Sequence, residues 1–504
     1  MIYAKEKDYT LFQGKMQDVL DTLEENSIDS IVCDPPYHLT SIQERFGKEN
    51  SKEAQYGKDG SFQRLSKGFM GKTWDGGDTA FQPDTWKHCY RVLKDGGYLL
   101  AFGGSRTFHR IACAIEDAGF EIRDTIMWLY GSGFPKSMNI GLAIDKKNGV
   151  ESKVVGEYNP HRDGSIRKYI DNSKFSNLAG TEKKYIEGGL KDLKEPTLEI
   201  AKQWNGWGTC LKPAYEPIIV ARKPFKGSLV DNVIENGVGG INIDECRVGD
   251  EYIKGGTAPD LRDVGKKSKE VIGISKLSFG QVRNAKRVEY KGHNGRFPAN
   301  VILTYDETDF DEVCGGMPDT KSNIEIPNQK HTFKGNKDAF QYGYKMRYGS
   351  GFNDEGNASR YFYCAKASKK DRDEGLDMFE NVKKPEYCLQ YHEGKQRNED
   401  VFPKNIHPTV KPIELMQYLV RLVTPKNATI LDCFMGSGST GKAVMFENRE
   451  RNANYHFIGI EMTEEYLPIC KARIDYALNK YEYDFQKQLK EEKDKGQLSI
   501  FDFM

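Results

Sequence analysis

A short apolar run that ends on two consecutive prolines leaves a chain few choices, and this one carries it at Ser30-Ile31-Val32-Cys33-Asp34-Pro35-Pro36-Tyr37. The β-branched residues read as a buried strand. Proline has no backbone donor, so sheet pairing must stop near Asp34 and the chain must leave in an extended turn. What remains is a carboxylate fixed at a strand's C-terminal edge, two carbonyls that cannot swing away, and an aromatic ring beside them. In open α/β sheets, ligands gather outside such edges. A flat ring bearing an NH2 group suits this geometry: Asp34 and the Pro35 carbonyl can accept both hydrogens while Tyr37 stacks on the ring face. An ordinary strand ending is the competing explanation.

The surrounding chain reads as alternating strands and helices. Leu11 to Gly14 gives a strand and turn, and Asp18 to Leu23 a short helix. Trp86 to Leu93 has helical spacing, stopped by Lys94-Asp95-Gly96-Gly97. Tyr98 to Phe102 is a strand, Thr107 to Ala118 a helix, and Glu121 to Tyr130 another strand. That alternation predicts a parallel α/β sheet. Between them, 38–78 is polar and glycine-rich, a long loop whose Phe69 and Trp74 suit either a lid or two anchors to the core. Residues 147–203 read as an insertion. The segment 204–224, with its strand Ile218 to Ala221, returns to the sheet.

A second informative block lies near the C-terminus. Asn405-Ile406-His407-Pro408-Thr409-Val410-Lys411-Pro412 precedes a helix with apolar Ile413, Leu415, Met416, Leu419 and Val420. A strand from Ala428 then leads to Leu431-Asp432-Cys433-Phe434-Met435-Gly436-Ser437-Gly438-Ser439-Thr440-Gly441, a helix from about Thr440, and a strand from Ala453 ending at Glu461. The glycines satisfy Gly-x-Gly-x-x-Gly, and Glu461 stands where an acid would accept ribose hydroxyls, so a nicotinamide dehydrogenase must be weighed. Such an enzyme has no use for Asp-Pro-Pro-Tyr or for Phe434 ahead of the glycines.

Taken together, Asp-Pro-Pro-Tyr, Asn-x-His-Pro-Thr-x-Lys-Pro and the glycine turn resemble the motifs of S-adenosylmethionine-dependent DNA amino-methyltransferases. The order, catalytic motif first and cofactor motif last, resembles the permuted β class. The resemblance implies a doubly wound, mostly parallel α/β sheet of Rossmann-like methyltransferase type carrying an inserted, irregular and β-rich target-recognition region. It implies catalytic Asp34, Pro35, Pro36 and Tyr37. It implies a cofactor pocket from His407, Thr409, Lys411, Asp432, Phe434, Gly436, Ser437, Gly438 and Glu461. The reaction implied is methylation of the exocyclic nitrogen of a flipped-out base in double-stranded DNA. Aspartate at position 34 favours adenine N6, with cytosine N4 as the alternative. An inactive DNA-binding subunit and an RNA or protein methyltransferase are remoter ones. One departure from the family stands at Lys15, where an acid that helps hold the cofactor's adenine is usual; Asp18 is one turn further on. Cytosine C5 chemistry, which typically needs Pro-Cys, is excluded because no cysteine follows a proline.

Composition sets the remaining bounds. At 504 residues the chain has room for roughly two or three domains. Lysine plus arginine equal aspartate plus glutamate at 74 each, so any DNA-binding surface must be local. The glycine- and asparagine-rich stretch 225–400 fits that requirement as the target-recognition region, with a short strand at Ala299 to Tyr305. Its basic residues Lys266, Lys267, Arg283, Lys286, Arg287, Lys334, Lys345 and Arg347, interleaved in part with aromatics, are candidate DNA contacts, although a solvated loop would look the same. The cofactor-binding half is 401–480. Ten scattered cysteines without Cys-x-x-Cys suit a reducing compartment and suggest no metal site. No signal peptide or long apolar run appears, so a cytoplasmic location away from membranes is expected. After a charged helix around 481–495, the tail 497–504 resembles a sliding-clamp docking peptide through Gln497, Leu498, Ile500 and Phe501. Folding back onto its own domain would serve equally. A homodimer is compatible with all of this.

Overall fold

A computed structural model describes residues 1–37, 78–130, 137–160, 166–168, 191–253, 255–259, 287–305, 319–321, 355–357, 362–366, 369–377, 379, 404–407 and 409–480. The expected lid 38–78 falls outside them apart from Asp78. Lys266, Lys267, Arg283, Lys286, Lys334, Lys345 and Arg347 and the tail from 481 also lie outside. Arg287 opens the short strand Arg287–Tyr290, which pairs antiparallel with Gly256–Pro259.

The larger compact unit holds the described residues of Met1–Trp128, Glu216–Asp306 and Cys314–Met504. Its centre is a ten-stranded sheet. In chain order the strands are β1 (Ile2–Lys5), β2 (Tyr9–Gln13), β3 (Ile28–Cys33), β4 (Leu93–Phe102), β5 (Glu121–Tyr130), β6 (Tyr215–Arg222), β7 (Val301–Tyr305), β8 (Tyr363–Lys366), β9 (Thr429–Asp432) and β10 (His456–Glu461). Across the sheet they run β1-β2-β10-β9-β3-β4-β6-β5-β7-β8. The pairs from β2 through β10, β9 and β3 to β4 are all parallel. β1 and β6 close this parallel run with antiparallel contacts to β2 and β4. The sheet is therefore α/β and mostly parallel, as expected.

Two strands from opposite ends of the chain meet at its middle. Ile430 of β9 pairs with Ser30 of β3, and Leu431 with Ile31. Both strands are buried nearly throughout, which explains their continuous apolar runs. Helices α1 (Met16–Leu20), α2 (Pro83–Val92) and α3 (Phe108–Asp117) pack in succession, and so do α5 (Ile413–Val423), α6 (Ser439–Arg451) and α7 (Leu467–Leu478). Between these groups in the chain comes α4 (Leu229–Asn236), begun by a reciprocal Ser228–Asp231 capping box and ended by Gly237 in the left-handed conformation.

Several expectations need correction. β1, with two exposed apolar residues and no buried one, offered no pattern to read, yet it pairs along β2. The Lys94–Gly97 stretch does end a helix, but it belongs to β4 as a bulge. Ile28 pairs with Leu93 and Ser30 already with Tyr98, so extra residues are looped out between them. The last strand starts at His456, because Asn452 and Asn454 both adopt positive φ and keep the chain in a turn. The stretch 225–400 contributes β7 and β8 to the main sheet, paired in parallel, where Ile302 and Leu303 are fully buried.

The smaller unit covers Leu129–Tyr215, wider than the insertion expected at 147–203. Its three-stranded sheet has Lys153–Pro160 between Ile166–Lys168 and Lys191–Glu195. Asp145 anchors it, accepting from the backbone of Thr197 at 2.7 Å and from the hydroxyl of Ser152 at 2.9 Å. Among the described residues, no helix is long and apolar enough to cross a membrane.

Candidate active site

The parallel pairing of β3 and β9 brings their C-terminal ends side by side, and the two motifs follow directly from those ends. Three residues beyond Ile31 is Asp34; three beyond Leu431 is Phe434. Between the two ends, Cys33, Cys433 and Cys89 form a buried thiol cluster, with Cys89 and Cys433 sulfurs 3.8 Å apart. The charge of Asp34 acts on both Asp432 and His407, so all three share one region.

On the β9 side, the chain turns sharply and its polar atoms are nearly all tied down. Asp432 is buried, and both of its oxygens serve the turn: one accepts from Phe434 N at 3.0 Å, the other from the Thr440 hydroxyl at 2.5 Å. Burial pushes its carboxyl well above the usual range. Gly436 and Gly438 have φ of 53° and 75°, a region that favours glycine. A side chain at Gly436 would reach 2.9 Å from His407 Nε2, and one at Gly438 would stand 3.1 Å from the backbone of Cys470. The Gly436 carbonyl accepts from the Cys470 thiol at 2.7 Å. The Ser437 carbonyl and hydroxyl accept from Arg473 at 2.6 and 2.9 Å. Ser437 thus spends its side chain on the frame of the turn.

At the end of β10, Glu461 is held by two backbone donors, Gly436 N at 2.9 Å and Thr463 N at 2.7 Å. Burial raises its carboxyl, and those donors partly offset the rise. The Thr463 hydroxyl and the Met462 backbone also bond to it, so the carboxylate is fixed in place at the strand's end. Phe434 is partly exposed and meets Trp86 edge-on, with ring centroids 6.1 Å apart. His407 is buried between Gly436 and the Tyr466 ring, whose centroid is 4.7 Å away, and its Nδ1 donates to the Thr409 carbonyl. Burial pushes its imidazole down to about 4, so it is neutral. Arg372 grips this segment from the other side through the carbonyls of Asn405 and His407. Thr409 is exposed.

On the β3 side the picture is different. Asp34 and Tyr37 are partly exposed, with Pro35 buried between them. The Tyr37 hydroxyl stands 2.8 Å from Asp34 Oδ1 and 3.1 Å from Glu216 Oε2. Thr107 fixes the Tyr37 carbonyl at 2.9 Å, and any side chain at Gly104 would run into the Tyr37 ring. Burial, then the charges of Asp34 and Glu216, push the phenol well above its ordinary value.

Lys411, expected in the cofactor pocket, points here instead. Its Nζ lies 2.6 Å from Asp34 Oδ2, 3.3 Å from the Tyr37 hydroxyl and 3.5 Å from Glu216 Oε2. Burial alone would lower this lysine, but Asp34 and Glu216 outweigh it and hold the ammonium above its usual value. Glu216 belongs to none of the sequence motifs. Its signal was available: an antiparallel strand that begins at Tyr-Glu-Pro starts at the same sheet edge where parallel strands end. Lys15 and Asp18, at the turn after β2, are both exposed.

The residues present fit S-adenosylmethionine. A backbone-anchored acid, a partly exposed apolar ring and a tight glycine turn suit its ribose, adenine and amino-acid end.

A family model described as DNA methylase, of the N6/N4 methyltransferase type, matches residues 28–472. The type II methyltransferase M.HindIII of Haemophilus influenzae is 26% identical over 236 residues, which cover 44% of this chain and 60% of that protein. The type II methyltransferase M.BglI of Bacillus subtilis is 39% identical over 69 residues, 14% of this chain and 18% of its own. The chain therefore spans less than two thirds of the length of either relative. A solved M1.HpyAVI–SAM complex aligns at a TM-score of 0.30 with 13% identity, over 92% of this chain and 99% of that one. That likeness is too loose to carry weight.

Proposed function

We propose, from the premise that this chain belongs to the DNA methylase family, that it methylates the N6 amine of an adenine flipped out of double-stranded DNA. The observation that carries this reading is the adjacency of the two strand ends, with Asp34 following β3 and Phe434 following β9. Aspartate at position 34, rather than the serine more usual in cytosine-N4 enzymes, favours adenine.

S-adenosylmethionine, when bound, supplies an electrophilic methyl group. Glu461 would take its ribose hydroxyls, the turn from Phe434 to Gly438 its amino-acid end, and the His407–Thr409 segment would shape the pocket wall. The work of the chain's own residues lies on the other strand end. A base stacked in a duplex cannot reach this edge, so it must swing out at a cost of a few kcal/mol. The lone pair of an aromatic amine is delocalised into its ring and attacks poorly. Hydrogen bonds from the amine to Asp34 and to the Pro35 carbonyl favour a pyramidal nitrogen with a localised lone pair. Tyr37 steadies the ring, and Asp34 or solvent takes the proton that the amine sheds. The contribution is orientation and electrostatics.

The test is transfer of a tritiated methyl group from S-adenosylmethionine to DNA, RNA and protein, followed by methylation-sensitive sequencing of DNA from cells that express the chain. Label confined to DNA, mapping to adenine at a fixed sequence, is expected. Label on cytosine overturns the choice of base, and label only on RNA or protein overturns the substrate.

A further inference from the structure

The carboxylate assigned to the target amine already has a donor on each oxygen. Tyr37 faces Asp34 Oδ1 at 2.8 Å, and Lys411 holds Oδ2 at 2.6 Å. The second contact is a charge-assisted bond to a lysine walled by aromatic rings, with Nζ 4.9 Å from the Phe102 centroid and 5.5 Å from that of Tyr37. An isolated Asp34–Lys411 pair would be neutral as a unit and a poor acceptor for a further donor. Glu216 changes that count. Its Oε2 lies 3.5 Å from Lys411 Nζ and 3.1 Å from the Tyr37 hydroxyl, so two carboxylates share one ammonium and one phenol proton. Neither carboxylate is deeply buried, with Asp34 at 25% and Glu216 at 23% side-chain exposure, so a shift of one ammonium between them costs little.

We propose that Glu216 is a positioning residue for Asp34: when the target amine docks, Lys411 moves from Asp34 toward Glu216, and Asp34 Oδ2 is released to receive the amine. This rests on the reading of the site as an amino-methyltransferase. The three charged groups sum to one negative charge, which is what an amine needs opposite it as positive charge develops on its nitrogen. Without Glu216 the sum is zero, and Lys411 has nowhere to go.

The variants that test this are Glu216→Gln, Glu216→Asp, and Glu216→Gln combined with Lys411→Met, all in the full chain. Glu216→Gln should lower kcat by about thirtyfold while leaving the dissociation constant for S-adenosylmethionine, measured by calorimetry, unchanged. A second readout needs no cofactor. Affinity is compared for a duplex with the target base and for the same duplex abasic at that position. Glu216→Gln should shift the ratio against the target base by about fivefold or more. Adding Lys411→Met should recover most of both losses, because Asp34 Oδ2 is then free of its ammonium and the site regains its negative charge. Glu216→Asp should retain most of the activity. A merely structural glutamate would not be rescued by deleting its partner. Wild-type kcat in Glu216→Gln, or a double variant no better than the single one, overturns the proposal. Should the double variant fail to fold, loss of activity in Glu216→Asp equal to that in Glu216→Gln overturns it as well. A wild-type protein that methylates no DNA sinks the reading of the site instead, and the base-to-abasic ratio still judges Glu216 separately.

Discussion

The two strand ends that meet at the middle of the sheet are built on opposite plans. After β9, nearly all the polar groups are committed to holding the turn. Asp432 binds Phe434 N and Thr440, Arg473 binds Ser437, Cys470 binds the Gly436 carbonyl, and Glu461 rests on two backbone amides. After β3, the polar groups bind one another. Asp34, Tyr37, Lys411 and Glu216 share protons and charge at separations from 2.6 to 3.5 Å, with few ties to the backbone. A surface that only has to grip a ligand gains from rigidity, since nothing in it must be reordered on binding. One that must receive a group whose charge changes gains from partners that can redistribute.

The deepest test of this contrast is Asp34→Ala. It removes the hub of the adjustable side and leaves every hydrogen bond of the rigid turn in place. Turnover should fall by about a thousandfold, in the range seen when a pre-aligned acceptor or donor is deleted, while cofactor affinity by calorimetry stays within about twofold. A matching loss of cofactor affinity would mean that the two ends are not independent. The reverse experiment is Gly438→Ala. At φ of 75°, with Cys470 backbone 3.1 Å from the new methyl, the turn must deform. Left-handed strain plus the clash should cost about 3 kcal/mol in stability, and cofactor affinity should weaken by about tenfold or more. If melting temperature and affinity both hold, the turn is not rigid and the contrast fails.

The same contrast explains what could be read from residues alone. Asp34–Tyr37 and the glycine turn stand out because their geometry is local: prolines stop a strand, and glycines permit one tight conformation. β5 is legible from Glu121 to Tyr130 for the same reason, with a turn ahead of it and a loop after. Lys411 stands out only as part of Asn-x-His-Pro-Thr-x-Lys-Pro, which does not say which strand end it faces, and Glu216 is marked only by the start of its strand. Their meeting depends on β6 lying next to β4 and running against it, which no periodicity within either segment reveals. Arg473 is fully buried on α7, yet in sequence it is one more charged residue among many. Glycine-rich surroundings hide β7 and β8 as members of the main sheet. Local stereochemistry was legible; long-range charge pairing was not.

The smallest expected effect belongs to the hinge between the two plans, His407. Burial pushes its imidazole down to about 4, so in the folded protein it stays neutral at pH values where an unfolded histidine, near 6.5, takes up a proton. The unfolded chain therefore binds more protons than the folded one between about pH 6.5 and pH 4. Stability is complete above that interval and is lost as pH falls through it, by about 2 kcal/mol between pH 6.5 and pH 5. Glu461, raised by burial, works in the opposite direction over an overlapping interval, so the wild type alone does not isolate the histidine. The comparison that does is with His407→Gln, whose amide can still donate to the Thr409 carbonyl but cannot titrate. At pH 8 the variant should be the less stable, having lost the ring that packs on Gly436 and Tyr466. As pH falls, the wild type should lose stability faster and the two melting temperatures should converge by about pH 5. Parallel curves would mean that the buried imidazole is protonated after all. In that case the wall of the rigid side carries a charge, and the line between the two plans would have to be redrawn around His407.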